Sequence, residues 1–145
     1  MSIRFEHTEV VRTTPQQAFA LIDDLPRTRE WLPPCVGLEK LGSGPNAVGD
    51  KLKYVYKHGG LTKEMAGKIL ARVPGEQLHC LYTDTTFDVS VDLHVAPHAD
   101  GATTTHIIEI TPKRFFAKLF TPLIRVGIRK QTIDAAKKLT ALLEA

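Results

Sequence analysis

The sequence predicts an α+β fold: a seven-stranded, curved antiparallel sheet wrapped around a long C-terminal helix, with two short helices after the first strand. Three observations carry that expectation. Residues 3–12 alternate in polarity with period two. Further short strand-like runs between residues 36 and 111 are separated by turn signals. From Thr121 to Ala145 the pattern is helical, and no proline follows Pro122.

Each element follows from its residues. Ile3, Phe5, His7, Glu9 and Val11 share one face of the first strand, with Arg4, Glu6, Thr8, Val10 and Arg12 on the other. Thr13-Thr14-Pro15-Gln16-Gln17 opens a helix, with Thr14 as N-cap and Pro15 at its first position. Ala18, Phe19, Leu21, Ile22 and Leu25 give it one apolar side, and Pro26 ends it. A second short helix spans Arg27 to Leu32 and stops at Pro33-Pro34. Strands follow at Val36–Leu41, Lys51–His58, Leu61–Val73, Leu78–Thr83, Phe87–Val95 and Thr103–Thr111. Gly59-Gly60 and Asp100-Gly101 mark hairpins, and Pro74-Gly75 a type II turn. Successive strands joined by short turns make an antiparallel sheet. Lys113–Phe120 forms a short amphipathic piece, and Thr121-Pro122 then caps a helix of about 23 residues, roughly 34 Å long. Ile124, Ile128, Ala135, Ala136, Leu139, Leu142 and Leu143 fall on its apolar arc.

At 145 residues, 43% hydrophobic and 24% charged, the chain suits one globular domain. No apolar run reaches the ~18 residues of a membrane span, and the charged N-terminus lacks the apolar heart of a secretion signal. These features predict a cytoplasmic protein. Cys35 and Cys80 have no metal-binding or redox spacing and read as buried free thiols. Residues 112–145 carry eight Lys/Arg against two acids, a net +6, which leaves −3 for the first 111. That suits a solvated helix face, or contact with an acidic ligand or an anionic membrane.

A strongly curled sheet covered by a straight rod leaves space beneath the rod, and such clefts bind small molecules. The layout, with Val11-Arg-Thr-Thr-Pro15, Asp24 followed by Trp31-Leu-Pro, Gly44-Pro45, Gly49-Asp50 and Leu119-Phe120-x-Pro122, resembles the START/Bet v 1-like superfamily. Within it the match is closest to the polyketide cyclase/dehydrase and lipid-transport group. The resemblance implies a helix-grip fold over the full chain, residues 1–145 as a single domain. It also implies a hydrophobic ligand, a lipid or a polyketide-like molecule, either carried or acted on as an aromatic or polyketide substrate. A fold alone decides neither.

His7 and Glu9 are the catalytic candidates. If both face a cavity, burial raises the carboxyl pKa, a nearby imidazolium opposes the rise, and the pair could abstract a proton beside a carbonyl. If the strand end is solvated, both are surface residues. The expected ligand-lining set comprises Phe5, His7, Glu9, Tyr54, Tyr56 and Met65, with Tyr82, Phe120, Ile124, Arg125 and Ile128 completing it. Arg125 could pin a ligand carboxylate or phosphate from above, or send its head to solvent. His94, His98 and His106 read as exposed, and no metal site or cofactor is expected. Phe115, Phe116, Leu119 and Phe120 alternate with Lys113, Arg114 and Lys118, a pattern suited to a lid that touches membrane transiently. Nucleic-acid binding is not expected, because no aromatic-basic strand face offers a stacking platform. The polar outer strand faces argue against a protein-partner module, and the chain is expected to act as a monomer or homodimer.

Overall fold

The computed structural model describes residues 2–145, with the side chains of Phe116 and Ala117 outside the description. Ile3–Val11 forms β1. The next helix, α1 (Pro15–Asp23), starts at a capping box: the Thr14 hydroxyl accepts the Gln17 amide at 3.1 Å, and the Gln17 side chain reaches back to the Thr14 backbone. The short second helix expected over Arg27–Leu32 is present as a 3-10 helix, Leu25–Glu30. Pro26 and Pro33-Pro34 bound too short a segment for an α-helical ladder, and 3-10 geometry closes its bonds sooner.

The remaining strands are β2 (Cys35–Lys40), β3 (Lys51–His58), β4 (Leu61–Val73), β5 (Gln77–Thr83), β6 (Phe87–His98) and β7 (Gly101–Pro112). They form one antiparallel seven-stranded sheet in the order β1-β7-β6-β5-β4-β3-β2. Gly59 and Gly60, with φ of 57° and 81°, make the tight β3–β4 turn. The last hairpin is one residue out from the expected turn. His98 pairs with Gly101, so Ala99-Asp100 form its tip and both strands run longer than their alternation suggests.

Phe115–Leu119 forms α2 and Thr121–Leu143 forms α3. Thr121 is not the N-cap of α3. Phe120 occupies that position, and the Thr121 hydroxyl instead donates to the Lys118 carbonyl at 2.7 Å. Among the described residues, no helix is long and apolar enough to cross a membrane.

The apolar interior divides into two clusters. The larger joins α1, Leu25, Trp31 and Leu32 to Leu38, Leu52, Tyr54, Met65, Ile69, Leu78 and Leu93 of the sheet, and to Ala135 and Leu139 of α3. The smaller joins Ile3, Ile108 and Ile128, with Phe5, Ile110 and Ile124 beside them. Asp23 and Arg72 tie α1 to β4: the guanidinium donates to both carboxylate oxygens at 3.0 and 2.7 Å, and Asn46 donates to the same carboxylate at 3.0 Å. Coverage of the sheet differs from expectation. The inner face of the central strands lies under α1, the 3-10 helix and Trp31, whereas α3 packs chiefly along β1.

Candidate functional site

The register of the sheet sets which side chains point inward. Ile3, Phe5, His7, Glu9 and Val11 on β1 stand opposite Ile110, Ile108, His106, Thr104 and Ala102 on β7. Those residues in turn stand beside Val89, Val91, Leu93, Val95 and Pro97 on β6. Toward the α2 end, Phe5, Ile110, Val89, Val91, Phe87 and Tyr56 all point into the concave side yet remain only partly buried. This end of the concave face is less completely covered than the α1 end, with half-buried Ile124 packed beside it. A void of about 20 Å³ is bordered by Trp31, Leu93, Cys80, Tyr82 and Val91. It has room for about one water molecule. Where a cavity was expected beneath α3, the concave side shows this small void and, toward α2, a row of partly buried apolar side chains.

The expected lining residues divide accordingly. Tyr54, Met65, Tyr82 and Ile128 are buried in the core, and Phe5, Tyr56 and Ile124 are partly buried. The three tyrosines stack in a row, with ring centroids 5.5 Å apart for Tyr54–Tyr56 and 4.8 Å for Tyr54–Tyr82. Burial pushes the Tyr54 phenol well up, Tyr82 rises for the same reason, and Tyr56 rises through burial and the neighbouring Asp84. All three keep their protons and act as apolar walls. Two expected residues do not line the interior: Arg125 is exposed, and Phe120 is 55% exposed. The helical wheel placed Arg125 on the apolar arc, but that arc meets the sheet only from Ile128 onward.

His7 and Glu9 are brought together, Nε2 to Oε1 at 2.9 Å, with Lys137 of α3 3.7 Å from the same carboxylate oxygen. Both are about three-quarters buried, in the seam between β1 and α3. The Glu9 carboxyl is held below its usual range, first by the His7 hydrogen bond, against burial, and then by the charge of Lys137. Of the two opposing effects, the partners outweigh burial, so Glu9 stays a carboxylate and orients His7.

His106, expected to be exposed, is 1% exposed. Its ring meets Trp31 edge to face, with centroids 6.0 Å apart. Burial pushes its pKa down to about 4, so the imidazole is neutral at physiological pH. Trp31 Nε1, Thr104 Oγ1 and His106 Nε2 are all buried without a hydrogen-bond partner. The burial of His106 becomes readable only once the hairpin register is known. Aligning β6 on β7 through the correct hairpin tip puts it beside Leu93, on the covered face. His94 and His98 are at the surface, near Asp92 and Asp100. Cys35 and Cys80 are buried and unpaired, with burial pushing their thiols up to about 11 and about 12. Among the described residues, no three His, Cys, Asp or Glu side chains cluster as a metal site would require.

The Zhui aromatase/cyclase from Streptomyces sp. R1128 superposes with a TM-score of 0.81 at 9% identity, over 99% of this chain and 94% of that one. A START superfamily protein from Mycobacterium smegmatis also gives 0.81, at 12% identity over 97% of each chain. Ara h 8.0201 gives 0.69 at 14% identity, over 99% of this chain and 98% of its own. At such identities the likeness is one of fold. No curated protein matches the sequence. Residues 2–144 match the family model described as polyketide cyclase/dehydrase and lipid transport, and the chain belongs to that family, within the START/Bet v 1-like fold.

Proposed function

We propose that this protein binds and carries a hydrophobic small molecule, lipid-like or polyketide-like, in the cleft of its concave face. The observation that carries the reading is the set of inward-pointing apolar side chains left only partly buried at the α2 end, Phe5, Val89, Val91, Phe87 and Ile110. Each 100 Å² of such surface covered by a ligand is worth roughly 2–3 kcal/mol. Binding of the neutral probe N-phenyl-1-naphthylamine, followed by its fluorescence, tests this. Wild type should bind it, and Val91→Arg should abolish binding, with the far-UV spectrum checking that the variant is folded. A wild type that fails to bind the probe or any apolar competitor sinks the reading.

The protein loads from a membrane in this account. Phe115, Leu119, Phe120, Leu123 and Val126 are between 55% and 71% exposed on α2 and the start of α3. They stand among Lys113, Arg114, Lys118, Arg125, Arg129 and Lys130, and no acid occurs between residues 113 and 133. Apolar side chains in a cationic surround suit an anionic bilayer surface. Phe116, also expected in this lid, has its side chain outside the described residues. Co-sedimentation with vesicles containing phosphatidylserine should exceed that with phosphatidylcholine alone, and Leu123→Asp should reduce it. Equal, negligible sedimentation with both would remove this part.

A second reading, a cyclase/dehydratase acting in the same cleft, is favoured by the His7–Glu9 bond at 2.9 Å. A carboxylate that orients a histidine makes it a competent base. His7→Ala would abolish turnover of a polyketide substrate by an enzyme, but would leave a carrier's affinity within severalfold.

A further inference from the structure

Three side chains at the inner end of the concave face lack partners for polar atoms: Trp31, Thr104 and His106, each 2% exposed or less. An unpaired buried polar atom costs roughly 1–3 kcal/mol, so three in one region call for a shared partner. They do lie in one region. Thr104 and His106 sit two residues apart on the same face of β7, which spaces them by ~7 Å. The Trp31 ring faces His106 at 6.0 Å. The small void borders Trp31 and Leu93, the two residues beside His106, and reaches partly buried Val91.

We infer that Trp31 Nε1, Thr104 Oγ1 and His106 Nε2 form a polar subsite that receives the uncharged carbonyl oxygen of an otherwise apolar ligand. Three considerations fix that chemistry. An indole N–H only donates, so the missing partner must be an acceptor. Thr104 can donate to the same kind of atom, and the neutral His106 ring carries one N–H that can point from Nε2. The subsite has no cation of its own, because burial keeps His106 neutral; His7, opposite it on β1, lowers its pKa further, and the Glu9 carboxylate opposes that. A buried carboxylate or phosphate would therefore go unpaid in charge, whereas a ketone, quinone or ester oxygen is accepted. The three side chains position a bound ligand; no bond is made or broken.

The inference rests on the concave face being the ligand site, and the test separates the two. Trp31 is the one tryptophan of the chain, so its indole N–H gives a single cross-peak in a ¹H–¹⁵N spectrum. Titration with 2-dodecanone, dodecane and dodecanoate should give tightest binding for the ketone and a downfield shift of the indole proton with the ketone alone. Thr104→Val, which keeps volume, and His106→Phe should each weaken ketone binding roughly three- to tenfold and leave dodecane binding unchanged. Should His106→Phe not fold, Thr104→Val alone decides. Ketone and dodecane binding equally, with the indole peak unmoved, overturns the subsite and leaves the apolar site standing. That result would mean the atoms hold a fixed water or none. Preference for dodecanoate overturns the neutral-ligand assignment. Binding of none of the three overturns subsite and apolar site together.

Discussion

Gly67 faces Tyr82 across the β4–β5 pair, and a Cβ placed on it would lie 2.7 Å from the tyrosine ring and 3.0 Å from Leu52. The tyrosine row is built on that gap. Gly67→Ala should lose about 1–3 kcal/mol in urea unfolding, and Tyr82→Leu in the same chain should restore part of it; additive losses would refute the clash. His106 gives a pH signature. Its folded pKa of about 4 lies below the usual 6.5, so between those values the unfolded chain holds a proton that the folded chain refuses. Stability is then complete above pH 6.5 and falls as pH drops toward 4, by up to ~3 kcal/mol. His106→Phe should flatten that slope; an unchanged slope would locate the titration elsewhere. Asp23 acts lower. Burial alone would raise it, but the bonds from Arg72 and Asn46 outweigh burial and depress it, so its contribution is lost only as pH falls below 3.8. At this scale the sequence was legible for His7, whose neighbour Glu9 does lie on the same face. It was not for His106, because Ile107-Ile108 blurs the alternation and only the hairpin register resolves it.

Local rules worked for elements where a single interaction decides. Thr14-Pro15-Gln16-Gln17 produces the capping box it implies, and Thr14→Ala should lower the urea midpoint by the equivalent of about 1 kcal/mol; no change would mean that packing of Phe19 and Ile22 sets the helix start unaided. The same rule misreads Thr121-Pro122. There α2 runs almost directly into α3, and the threonine hydroxyl bonds back to Lys118 instead of capping forward. The apolar arc of α3 was readable, but how much of it finds a surface was not. That depends on where the helix crosses the sheet, which periodicity does not encode. Ile128, Ala135, Ala136 and Leu139 are buried, while Leu123 and Val126 stand about 70% exposed. The cationic and apolar residues of the first half are therefore left free for a surface of another kind.

Across the whole molecule, strand count, antiparallel order and the closing helix follow from alternation and turn residues, because each hairpin constrains only its two neighbours. The size of the internal space does not follow. It is a difference between the volume the curled sheet encloses and the volume that α1, Trp31 and Leu32 fill, and the sequence fixes neither to within a ligand's width. The structure resolves this difference into a large core beside α1 and a smaller cluster toward α2 whose flanking apolar side chains are only partly buried. The outer face of the β5–β6 pair is a polar ladder, Gln77 to Asp92, His79 to Ser90 and Thr83 to Asp88. Under the proposed function, the ligand sits where α3 departs from the sheet. Native mass spectrometry of the purified 16.1 kDa chain tests that most directly. The account predicts an adduct of a few hundred daltons, extractable into organic solvent and absent from Val91→Arg. A bare chain that also stays bare when mixed with apolar carbonyl compounds would contradict it.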